Sequence, residues 1–184
     1  MATDDTDDAF LYFDLKPKAI NGESTDNRKG LGPTSKSPKE RKAFSISTFG
    51  FNIQNDQKIG TGVNAPSGGS DEEAGKAKLE AITVKKLTDR ATPDLIHACA
   101  KGLKYKWAKI ELRRNGLTYM FIEMEDAIVT KVNTEQSDDS EPTDSVTVEY
   151  VRIKITYYEQ ATDGDVYEVS TTGWDREKNE EWSG

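Results

Sequence analysis

The stretch ATPDLIHACAKG, residues 91–102, decides the fold, because helical periodicity and both helix ends are written into it. The Thr92 hydroxyl suits the N-cap, Pro93 the first helical position, and Asp94 the positive end of the helix dipole. Leu95, Ile96 and Cys99 recur at helical spacing, with Ala98 and Ala100 between them and Cys99 expected to be buried. Lys101 complements the C-terminal dipole, and Gly102 is placed to stop the helix in a left-handed conformation. Everywhere else the strong period is two. The reading is a short helix docked on a β-barrel or sandwich.

Working outward, residues 9–15 form a first strand with Phe10, Tyr12 and Asp14 on one face and Leu11, Phe13 and Leu15 on the other. Residues 43–53 alternate strictly and read as one strand. Residues 76–86 read as a third, whose phase change near Ala81 predicts a bulge. Residues 105–114 alternate up to Asn115-Gly116, the best hairpin signal in the chain, and return as 117–125 and 127–132. The longest β run, 145–158, switches phase between Tyr150 and Val151, which predicts another bulge. Asp163-Gly164 turns into 166–174, and 175–184 is a polar tail. Residues 27–42 and 54–75 read as long loops, 133–144 as an acidic loop, and 1–8 as an acidic end expected to fray. This makes about eight strands and one helix in a single domain over 1–184.

Composition narrows the function classes. The 184 residues carry a net charge of −8, which argues against nucleic-acid binding through a general basic field. One cysteine excludes an internal disulfide framework. The N-terminal stretch has no apolar h-region, and no apolar run is long enough to span a bilayer; if the protein leaves the cell, the route is expected to read no N-terminal signal.

The catalytic inventory is thin. Glu123 and Glu125 share a strand face, but a solvated face near a turn is the better account of them. His97 is the only histidine, and it points away from Cys99, so no metal or cofactor is expected. GESTD around Ser24 is no nucleophile elbow, and SGGSDEEAG lacks the Lys-Ser/Thr of a P-loop. Trp107 and Trp174 are expected in the core and Trp182 on an exposed tail. Charge is instead sorted between loops. Arg28, Lys29, Lys36, Lys39, Arg41 and Lys42 lie in 27–42, and Glu135, Asp138, Asp139, Glu141 and Asp144 lie near the acidic loop. Complementary loops suit docking between subunits, which they steer.

Three segments in order resemble a known family: ITVKKLTDRATPDLIHACAKG (82–102), DSVTVEYVRIKITYYEQ (144–160) followed by TTGWDREKN (171–179), and the early turn NGESTD (21–26). The chain resembles the haemolysin-coregulated protein (Hcp) family, tube subunits of type VI secretion systems. The resemblance implies a mainly β fold, a two-sheet barrel like that of phage tail tubes with one short helix on its flank. It implies a non-enzymatic subunit whose hexameric rings stack into an inner tube. That tube works with sheath, spike and baseplate proteins, is exported from the bacterial cytoplasm, and carries small effectors in its lumen. Glu- and Lys-bearing strand faces are then expected to line the lumen. The candidate interface residues are Glu23, Ser24, Arg28, Lys29, Lys36, Lys39, Arg41, Lys42, Asp138, Asp139 and Glu141, and loop 27–42 is expected to be dispensable for the fold. The alternative is a small β-barrel module that binds carbohydrate or an acidic peptide through the tryptophans or the basic loop.

Overall fold

The computed structural model describes residues 7–26, 37–55, 76–160 and 166–184. Among these, the alternating segments form β1 (Asp7–Phe13), β2 (Phe44–Ser45), β3 (Thr48–Gly50), β4 (Ile53–Asn55), β5 (Ala77–Leu79) and β6 (Ile82–Leu87). Helix α1 (Thr92–Lys101) follows, then β7 (Lys104–Arg114), β8 (Leu117–Glu135), β9 (Thr143–Glu149), β10 (Arg152–Gln160), β11 (Val166–Asp175) and β12 (Glu180–Glu181). The loops expected over 27–36 and 56–75, the end 1–6 and the Asp163-Gly164 turn lie outside the described residues.

The 19-residue β8 organises the architecture. Its first half pairs with β7 on one side and β10 on the other, with Ile122 opposite both Ile110 and Ile155. Its second half pairs with β9, Val129 opposite Val148. Asp126, at φ 53, separates the halves. The pairings then run β9 to β6 to β3, along residues 44–50 to β2, and through β1 back to β7. β2 and β3 do not pair with each other; Ile46 and Ser47 carry the chain between them, bonding Ala9 and Lys85, while β10, β11 and β12 extend the sheet beyond β8. Leu11, Phe44, Ile82, Val84, Ile110, Met124, Val146 and Val148 fill the core and are fully buried.

Both predicted bulges are breaks between strands. The phase change near Ala81 separates β5, which pairs with β4 in a small sheet of its own, from β6 in the barrel. The switch at Tyr150–Val151 separates β9 from β10, which take different halves of β8. Residues 43–53 likewise split into β2, β3 and β4, because the chain crosses from β1 to β6 and then leaves to meet β5. Alternation reports faces, not partners, so one uninterrupted pattern spans three pairings.

Helix α1 packs on β8 and puts Leu95 and Ala98 into the core. Gly102 ends it at φ 59, and the Leu103 N–H reaches the Ala98 carbonyl at 3.0 Å. Three details differ from expectation: Ala91 is the N-cap and makes no side-chain bond, Ile96 faces solvent, and Cys99 is half-buried. Thr92 is instead the first helical residue, and its hydroxyl bonds the carboxylate of Asp144.

Gly22 shows why the NGESTD turn needs glycine. A Cβ there would lie 2.1 Å from the Ala43 carbonyl oxygen. Gly22→Ala is expected to destabilise the fold by about 1–3 kcal/mol, read by urea denaturation, because the neighbour that must give way is backbone.

Candidate subunit interface

The early turn is built into the barrel by a short ladder. Gly22 N–H bonds the Lys42 carbonyl at 2.9 Å, Ser24 N–H that of Ala43 at 3.1 Å, and Lys39 N–H that of Asp26 at 3.2 Å. The Glu40 carboxylate accepts the Ser37 N–H at 2.7 Å and tightens the turn between them. Lys39 and Lys42 are exposed. Arg41 is not. Its Nη1 donates to Glu111 Oε2 and to the Tyr12 hydroxyl oxygen, both at 2.8 Å. The other Glu111 oxygen accepts Arg113 Nε at 2.8 Å and the Thr118 hydroxyl at 2.5 Å, and Asp26 lies 3.4 Å from Arg113. Burial pushes the Tyr12 phenol well above its ordinary range, against the lowering effect of Arg41.

This corrects two expectations. Arg41 is an internal structural cation, and segment 37–42 is therefore part of the fold. By period two, Glu111 and Arg113 lie on the β7 face opposite Ala108, Ile110 and Leu112. That face is covered by the 37–43 segment, which seats Ala43 against Phe10 and Tyr12. Arg28, Lys29 and Lys36 lie outside the described residues.

Beside the turn lies an open groove of about 570 Å³. Glu23, Asp89 and Glu141 supply its carboxylates, Ser24 and Thr88 hydroxyls, and Ile46 and Leu87 an apolar floor. Three expected interface residues, Glu23, Ser24 and Glu141, thus meet although more than 100 positions separate the turn from the acidic loop. Asp138 and Asp139 are exposed in the same loop as Glu141.

Asp144, expected among the exposed acids, is instead buried behind the groove. Lys86 Nζ reaches Asp144 Oδ2 at 3.0 Å and Asp89 Oδ1 at 2.7 Å. The Thr88 and Thr134 hydroxyls donate to Asp144 at 2.9 and 2.7 Å, and the Thr92 hydroxyl completes the set. Burial raises the Asp144 pKa, but the bonds from Thr92, Thr134, Lys86 and Thr88 outweigh it and hold the carboxyl below its ordinary range. One carboxylate thereby joins β6, the start of α1, β8 and β9.

The outer strand face carries alternating charges. Lys109 pairs with Glu123, and Glu125 lies 3.4 Å from Arg152. Glu123 and Glu125 therefore each face a cation. Trp107 lies 5.5 Å from Lys109 Nζ, and Trp182, expected to be exposed, is half-buried with its ring 5.5 Å from Arg152. Each indole already has a cation over its ring, where a sugar would stack. Among the described residues no three His, Cys, Asp or Glu side chains are grouped to hold a metal.

Residues 12–157 match the family described as "Type VI secretion system effector, Hcp". The chain belongs to the Hcp family. The match runs from Tyr12, beneath Arg41, to Tyr157 in β10, and so takes in both buried ionic clusters and the groove. Protein hcp1 of Pseudomonas aeruginosa is 30% identical to this Hcp chain over 94 residues, 48% of the chain and 58% of that relative. The chain thus spans a little over half the length of the curated relative it matches. A solved type six secretion system protein superposes with TM-score 0.76 at 17% identity, covering 96% of this chain and 100% of the other. Hcp1 from Salmonella typhimurium superposes with TM-score 0.68 at 23% identity, covering 96% and 99%. These likenesses establish the fold, mostly β with a single short helix among the described residues. No helix among them is long and apolar enough to cross a membrane.

Proposed function

We propose that this Hcp chain is a structural subunit that assembles into hexameric rings, and that the rings stack into the inner tube of a type VI-like contractile apparatus. The observation that carries the reading is the family match over residues 12–157. In this role the protein is not an enzyme. It is exported with the spike, contacts sheath and baseplate proteins, and carries small effectors in its lumen. The charged outer face of β7, β8 and β10 is the surface we assign to the lumen.

Stacking is assigned to the groove. Its carboxylates, Glu23 and Glu141, with Asp138 and Asp139 nearby, suit the cations of a neighbouring copy, Lys39 and Lys42 together with Arg28, Lys29 and Lys36 of the same basic stretch. Exposed charges of this kind steer and orient docking, and salt screens them. Reversing both exposed cations, Lys39→Glu with Lys42→Glu, is expected to leave rings intact and shorten tubes at low salt. Tube lengths by negative-stain microscopy check this, and tubes of unchanged length would remove the groove from the stacking contact.

A further inference from the structure

We infer that a niche where β1 meets β7 binds a small organic cation, an alkylammonium, between two aromatic rings and the carboxylate of Asp14. The site follows from strand register. Period two puts Tyr12 and Asp14 on one face. β1 pairs with β7 through Tyr12 opposite Lys109 and Phe13 opposite Ala108, and the Asp14 N–H continues the ladder to the Trp107 carbonyl at 3.0 Å. Directly opposed residues of an antiparallel pair share a face, so Asp14 stands beside the indole. The Tyr12 and Trp107 rings meet edge to face, with centroids 5.8 Å apart and planes at 78°. They make two walls of a corner, and Leu15, 54% exposed, lies on its rim. The niche holds about 350 Å³, within the range of small-molecule sites.

Charge selects the ligand. Lys109 Nζ lies 5.5 Å from the Trp107 ring centroid, and the Arg41 guanidinium carbon 5.1 Å from that of Tyr12. Both rings therefore already attract cations through their π faces. Those two cations have anions of their own, Glu123 for Lys109 and Glu111 for Arg41. Asp14 differs. It is half-buried, and among the described residues its carboxylate makes no hydrogen bond or ion pair. Glu40 adds a second carboxylate to the wall, its Oε2 accepting the Ser37 N–H. A half-buried anion beside electron-rich rings suits a ligand that is positive and apolar at once. An alkylammonium sheds water readily, lies against an aromatic face and pairs with a carboxylate. A sugar brings no charge to Asp14, and an anion is repelled by it. The site is complete within one copy and goes beyond the ring reading above.

The test titrates tetramethylammonium chloride into the full chain by calorimetry, with tert-butanol as a neutral ligand of similar size and sodium chloride as the ionic-strength control. Tetramethylammonium is expected to saturate at one per chain with a dissociation constant of about 1 mM or tighter, and tert-butanol is not expected to bind. Asp14→Asn keeps the shape and the backbone bond, so melting temperature should stay near that of the unaltered protein while affinity falls about tenfold or more. Trp107→Leu should lose a similar factor, and if that variant fails to fold, Asp14→Asn decides alone. No saturation up to about 20 mM, equal binding of tert-butanol, or unchanged affinity in Asp14→Asn would overturn the site. Negative-stain images of the same samples keep the two readings apart. Rings without binding overturn only the cation site, and binding without rings overturns only the ring.

Discussion

Replacing Glu111 with alanine is expected to cost about 3–5 kcal/mol of folding stability, measured by urea denaturation at neutral pH. Glu111 is fully buried and stands between two cations, Arg41 at 2.8 Å and Arg113 at 2.8 Å. Removing it leaves two guanidinium groups without that anion in a site closed to water. Breaking a buried ionic group costs far more than losing a surface pair, which is worth about 0–1 kcal/mol. With total stabilities of about 5–15 kcal/mol usual for a domain, the variant should be marginal or unfolded. Glu111→Gln keeps the shape and an acceptor for Thr118, and should lose less. Equal, small losses in both variants would show that water reaches the cluster.

Asp144→Ala is expected to cost a similar amount, about 3–5 kcal/mol, for a related reason. It strands the buried Lys86 with Asp89 alone as anionic partner and removes the acceptor of three threonine hydroxyls. Because the start of α1 is held through Thr92, the helix should loosen first, visible as faster hydrogen exchange at Leu95 and Ala98. The sign of the pH effect follows from the lowered Asp144 pKa. The stabilisation is fully present above the ordinary aspartate value, 3.8, and is lost as pH falls through the lower folded value. Asp94, whose pKa is also lowered against its own burial by bonds from Asn21 and Lys18, adds to the same loss. Melting temperature should therefore fall as pH drops below about 4, and fall less in Asp144→Asn. An identical acid profile for that variant would mean that Asp144 does not couple to folding.

The parts of the fold that were legible in the chain are those set by backbone chemistry. Gly102 ends α1, and Asn115-Gly116 turns the hairpin with φ of 51 and 79, as residues that tolerate positive φ should. The phase changes near Ala81 and at Tyr150–Val151 marked real discontinuities, although the chain alone does not say that a change of partner causes them. What stayed hidden was the fate of charge. Arg41 and Asp144 sit in polar, loop-like surroundings, where the ordinary expectation is solvent. Only the tertiary crossing of residues 37–43 over β1 and β7 encloses Arg41, and only the meeting of Thr88, Thr92 and Thr134 satisfies Asp144. Glu23, Ser24 and Glu141 were legible as polar turn and loop residues, but their shared groove depends on β2 and β6 bringing the two segments side by side.

The proposed function depends on copies of this protomer closing around a hole. Negative-stain microscopy of the purified, unaltered protein tests that most directly. The expected images are rings with an open centre at low concentration and short stacked tubes as concentration rises. A uniform field of single barrels at every concentration would contradict the account.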